Sequence, residues 1–152
     1  MDKFDDNQDV QGRRLHYDND DAEIYNKLKD DYGPFKGATI IDLFSIALSY
    51  GLKQGYRTEL NEKGKSIGRV VESVIDNTNL RFLMMAVAVN EKGSLDVIMD
   101  VDEYFTISEE YAKTGLKFLE QDFINNDEEL LDDMEEEMLE IYDRFYDKLD
   151  DL

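Results

Sequence analysis

From Leu131 to Leu152 the apolar residues Leu131, Met134, Met138, Ile141 or Tyr142, Phe145, Leu149 and Leu152 recur at intervals of three and four, and nearly every other position is Asp or Glu. That spacing fits one amphipathic α-helix with an apolar stripe and an anionic back. It fits no strand, whose side chains repeat every two residues. Like charges four apart, as at Asp132 and Glu136 or Asp133 and Glu137, cost an isolated helix roughly a few tenths of a kcal/mol each. Packing must therefore hold the segment, and three kinds of packing stay open. The helix closes its own domain, or it docks in a groove through Met134, Met138 and Phe145, or it offers Glu135, Glu136, Glu137 and Glu140 to a basic partner in place of nucleic-acid phosphates.

Charge bears on that choice. With 37 acidic and 17 basic residues the net charge is −20, and bare nucleic acid or an anionic membrane repels such a molecule as a whole. The charge is uneven: residues 1–32 carry −5, residues 33–126 carry −4 and residues 127–152 carry −11. The acidity thus belongs to the ends. No cysteine is present, which excludes a disulfide framework, a thiolate zinc site and a thiol nucleophile. No apolar run approaches the roughly 20 residues that span a bilayer, and Met1–Asp6 lacks the pattern of a signal segment, so a cytoplasmic protein without a membrane anchor is expected.

The length of 152 residues suits one hydrophobic core with tails. Residues 1–21 are polar and without period, and read as an acidic flexible arm from which no core can be built. Residues 22–126 read as a helical core domain and 127–152 as the acidic C-terminal helix. Within the core, Asp20 or Asp21 is expected to cap a short helix through Lys29, ended by Gly33-Pro34. Thr39 is expected to cap Ile40–Tyr50, with Gly51 as its C-cap. Further helices are expected over Ile67–Asp76, over Asn79–Val89 as a helix apolar nearly all round and hence buried, and over Tyr104–Phe123. Val87 and Val89 leave room for a strand, and Leu95–Met99 reads as a short strand or buried connector. The fold class is mainly α: a compact helical domain with at most one short strand or hairpin, plus the long acidic amphipathic C-terminal helix.

Few motifs carry chemistry. Gly64-Lys65-Ser66 has the ending of a phosphate-binding loop, but Glu59 stands where its first glycine belongs. Asp18–Asp21 is rich in hard oxygen donors, yet an EF-hand register would put Glu23 at the invariant glycine and Lys29 at the bidentate acid. His16 is the single histidine, which leaves nothing from which to build a histidine metal site or a histidine-based triad. Carboxylates abound without sign of a pocket to raise their pKa. No enzyme, metal or cofactor is therefore expected. More suggestive is a basic set in an acidic chain, Lys53, Tyr56, Arg57, Lys63, Lys65 and Arg69, interleaved with Gly55, Gly64 and Gly68. It suits phosphates, bases or an acidic partner. The alternative, that these cations neutralise acidic segments of the same chain, stays open.

One resemblance adds to this. Gly33-Pro34-Phe35-Lys36, then Ile41–Leu60 with Gly51-Leu52-Lys53-Gln54-Gly55 and Arg57-Thr58, then Ile107-Ser108-Glu109-Glu110-Tyr111-Ala112-Lys113-Thr114-Gly115-Leu116, resembles small proteins encoded beside bacterial and archaeal DNA phosphorothioation (Dnd-type) operons. The resemblance covers about residues 33–120 and leaves out the acidic ends. It implies an accessory, non-catalytic role in a DNA-modification or antiviral defence system, with a larger protein complex as partner, and beside it the basic set is expected to contact nucleic acid or a partner. A rival reading is an acidic mimic of nucleic acid that blocks a basic nucleic-acid-handling protein, and a third is a homo-oligomer formed through the C-terminal stripe.

Overall fold

The computed structural model describes residues 13–61, 69–125 and 127–150. The expectations for residues 1–12, for Lys63 and Lys65, for Ile67 and Gly68 and for Leu152 lie outside these residues, as do the side chains of residues 127–131; Arg69–Val71, expected as helix, are not helical, because Val70 pairs with Leu15 and the helix begins only at Glu72. Among the described residues there are six α-helices: α1 Asn19–Lys29, α2 Ile40–Gln54, α3 Glu72–Asp76, α4 Leu80–Lys92, α5 Val101–Leu119 and α6 Asp127–Asp150. A 3-10 helix, Leu95–Met99, precedes α5, and a π-helical segment, Glu120–Asn125, joins α5 to α6. Among the described residues there is no strand, only one antiparallel bridge between Leu15 and Val70. The mainly α fold expected of the sequence is the fold observed.

Capping chemistry sets where the helices begin. Thr39 and Asp42 form a capping box: Thr39 Oγ1 accepts from the Asp42 amide at 3.2 Å, and the Asp42 carboxylate accepts from the Thr39 amide at 3.3 Å. These bonds satisfy two backbone donors that a helix start leaves open. The helix does not stop at Gly51, as its sequence suggests, but runs on to Gly55, which takes the left-handed conformation at φ 80°. Gly51 serves a packing role instead. At α1 the residue in the cap position is Asp18, not Asp20 or Asp21, and its side chain makes no cap bond because it is drawn to Lys113.

Helix α5 is the axis of the molecule. Asp100 caps it by accepting from the Glu103 amide at 3.0 Å, so it starts three residues before the expected Tyr104. From Ile107 to Leu116 every residue is buried. A helix buried on all sides must have neighbours all round: α2 lies along one side and α4 along another, with α1 and residues 13–18 across the polar side. The strand left open at Val87–Val89 is helix. Nor is α4 buried all round: Leu80, Met84, Val87 and Ala88 face the core, while Phe82 is 69% exposed. Leu95–Met99 buries only Val97 and is neither strand nor buried connector.

The N-terminal expectation needs the plainest correction. Leu15 is completely buried and Asp18 nearly so, hence residues 13–18 are a strap built into the core. Its polarity hid this, because Leu15 and Tyr17 among four polar residues are too few to show a period.

Candidate functional site

Six of the seven consecutive residues of the Glu109–Gly115 motif meet a defined partner on another part of the chain. The Glu109 carboxylate takes a two-pronged bond from the Arg13 guanidinium, both arms at 2.8 Å, and also accepts from the His16 amide. Arg13 reaches Asp102 as well, at 2.8 Å. The Glu110 carbonyl accepts from the Thr58 amide at 3.2 Å. Tyr111 donates its hydroxyl to Glu91, whose other oxygen lies 3.4 Å from Arg57. Lys113 sits between Asp18 and Asp21, at 2.5 and 3.1 Å. Thr114 and Thr58 share a hydroxyl hydrogen bond of 2.7 Å. Gly115 meets the backbone of α2, with no room for a Cβ.

The electrostatics follow from burial. Withdrawal from water pushes the Glu109 carboxyl above its usual range, and the Arg13 bonds oppose that. Burial likewise raises Asp21 against the pull of Lys113. Lys113 loses hydration, but its bonds to Asp18 and Asp21 outweigh the loss and hold its pKa above the ordinary value. His16 is lowered by burial and by the nearby Arg13 charge. A buried ion pair is strongly destabilising to break and only weakly stabilising compared with an apolar pair. The motif therefore fixes position: it pins the strap to α5, and it pins the α2 exit to α5 through Thr58.

The predicted basic set is divided. Lys53 and Tyr56 are exposed beside Gly55 at the end of α2. Arg57 is partly covered and paired with Glu91. Arg69 packs against the strap, its amide donating to the Leu15 carbonyl and its guanidinium 5.5 Å from the centre of the Tyr17 ring. The strap also holds both described edges of the basic segment: the Asn61 amide donates to Asp18 at 2.9 Å, and Leu15 and Val70 exchange backbone bonds.

The C-terminal set is also redistributed. An α-helix turns about 100° per residue, so Glu135, Glu136 and Glu137 point in three different directions. Glu136 and Glu140 lie on the side that also carries Asp133, Asp143 and Asp147, whereas Glu135 falls among apolar residues. Met134, Met138 and Phe145 do share a face, and Ile141, Tyr142 and Leu149 widen it, with Tyr146 and Leu139 beyond. Every residue from Asp132 to Leu149 is exposed, Met138 by 67% and Phe145 by 61%. Over those residues the helix does not close its own domain.

Sequence reasoning missed Arg13, Asp18, Asp21, Thr58, Glu109, Lys113 and Thr114 as a connected set. The signal was the motif itself, in which Glu109, Glu110 and Lys113 gather on one side of a helix otherwise rich in core residues.

Residues 14–148 match the family described as DNA sulphur modification system-associated protein 4. The chain belongs to this family. The match reaches well beyond residues 33–120 and takes in residues 14–18 of the strap and nearly all of α6, so the acidic C-terminal helix is not outside the family as the shorter resemblance implied. No curated protein and no solved structure matches the chain. Among the described residues no helix is long and apolar enough to cross a membrane.

Proposed function

We propose that this protein is a non-catalytic accessory component of a DNA sulphur modification system, and that it works by docking a partner protein of that system through α6. The observation that carries this reading is the exposed apolar face of α6. Monomeric soluble proteins rarely leave a continuous apolar face of this size in water, and such faces mark interaction sites. The rigid α5 hub supplies the platform, with α6 continuing from it through the π-helical segment.

Mimicry of nucleic acid fits less well. It needs carboxylates on the contact face, and the dense acidic arc of Asp133, Glu136, Glu140 and Asp147 lies opposite the apolar one. Exposure of Lys53 and Tyr56 favours a second contact there, with DNA or a protein. Both readings place the protein where DNA is modified, in the cytoplasm, as part of a defence system.

Co-purification tests the proposal. The intact chain, expressed with the components of its modification system, is expected to retain at least one of them, and M138S/F145S is expected to lose it. Equal retention by both chains would sink the reading. For the second contact, duplex DNA bound by the intact chain and released by K53A/R57A is the expected result.

A further inference from the structure

The apolar face of α6 is wide. At about 100° per residue, Ile141, Met134, Phe145, Met138, Leu149, Tyr142, Tyr146 and Leu139 follow one another around roughly 160° of the helix, interrupted only by Glu135. A single opposing helix covers the narrower seam of a coiled coil. An arc this broad needs walls on two sides, which is the geometry of a helix laid into a groove.

The edges of the face differ. Beyond Leu139 and Tyr146 come Asp132, Asp143 and Glu136. Beyond Ile141 come Arg144 and Lys148 with Glu137. The helix as a whole carries 12 acidic and two basic residues between Asp127 and Asp150. A second copy would bring the same excess, in a chain already at −20. At Debye lengths near 8 Å, charges lining one seam are not screened from each other.

Resting on the docking role of α6 proposed above, we infer that the occupant of this face is a partner protein with an apolar groove rimmed by Lys and Arg, its more basic wall against the Leu139–Tyr146 edge, and not a second copy of this chain. The uneven edges fix the direction in which the helix lies, since only one orientation sets the basic wall against Asp132 and Asp143. Met134 and Met138 adapt to the floor of the groove, as unbranched thioether side chains do. Phe145 and Tyr142 supply the large rigid contacts that dominate interface energies.

The test uses the full-length chain and a synthetic probe: a fluorescein-labelled helical hairpin with an apolar groove rimmed by lysines, beside its twin rimmed by glutamates. Anisotropy titrations at physiological salt should show the lysine-rimmed hairpin binding about tenfold or more tightly than its twin, with M138S/F145S weakening it about tenfold or more and D132N/D143N by a smaller factor. Circular dichroism confirms that the exposed substitutions keep the helix. Equal binding of the two hairpins, or lysine-hairpin binding untouched by M138S/F145S, would overturn the inference, the latter by showing only diffuse charge attraction. Sedimentation decides about a second copy: a dimer of the intact chain that M138S/F145S dissociates overturns the inference while leaving the docking role intact. Loss of the docking role itself is read separately, in the co-purification described above.

Discussion

Gly51 of α2 and Gly115 of α5 face each other at the crossing of the two helices: a Cβ on Gly115 would lie 2.6 Å from the Gly51 amide nitrogen and 1.7 Å from the Ala47 carbonyl oxygen. A Cβ on Gly51 would lie 1.8 Å from the carbonyl oxygen of Tyr111. Backbone thus meets backbone, and no side chain stands between that could move aside. Alanine normally favours a helix interior by about 1 kcal/mol over glycine. Here the steric conflict dominates, and G115A is expected to destabilise the chain by about 3 kcal/mol or more. Urea unfolding measures this, and a loss under about 1 kcal/mol would show that the helices separate easily.

Arg13 and Glu109 are 96 residues apart in sequence and joined by two hydrogen bonds in the core. R13A should cost about 3–5 kcal/mol, because it strands a buried carboxylate. R13M/E109L, which removes both charges, should recover most of that loss. Thermal unfolding of the two variants tests the point, and equal destabilisation by both would mean that the pair is not the source of the effect.

His16 gives a pH signature readable in isolation, being the single histidine of the chain. Its folded pKa is below the ordinary 6.5 through burial and the neighbouring Arg13. The unfolded chain therefore binds more protons in the window below 6.5. Stability from this group is present above pH 6.5 and is lost as pH falls through the folded value. Titration of the imidazole resonances by NMR should give a midpoint below 6.5 in the folded chain, and one above 6.5 would refute the assignment.

A chain ending at Leu131 should keep the stability of the full-length protein to within about 1 kcal/mol, because Asp132–Leu149 are exposed throughout. Phe123 and its contact with Phe35, centroids 4.9 Å apart, are retained in that chain. A large loss of stability would show that α6 supports the core after all.

Much was legible from sequence where the cause is local. The Thr39–Asp42 capping box lies within four residues, and the α2 stripe of Ile40, Phe44, Ala47 and Leu48, widened by Ile41 and Leu43, announces itself by its spacing, though Ile40 is only half-buried. The same holds for α6, whose period and acidity are written in consecutive residues, and for the Glu109–Gly115 run on which the resemblance rested. What that run does was not legible. Arg13, Thr58 and Asp18 give no local sign of meeting it, since their meeting depends on how the chain returns across α5.

By itself, then, the sequence determined most of the helices, the Thr39 cap and the anionic character of the C-terminal helix, because backbone hydrogen bonds and side-chain period act over three or four residues. Only tertiary structure decided that Gly51 continues a helix it would otherwise end, that Leu15 anchors a polar strap in the core, and that the α6 face stays uncovered. Each of those depends on which surfaces face each other once the helices pack, and no short-range rule contains that information.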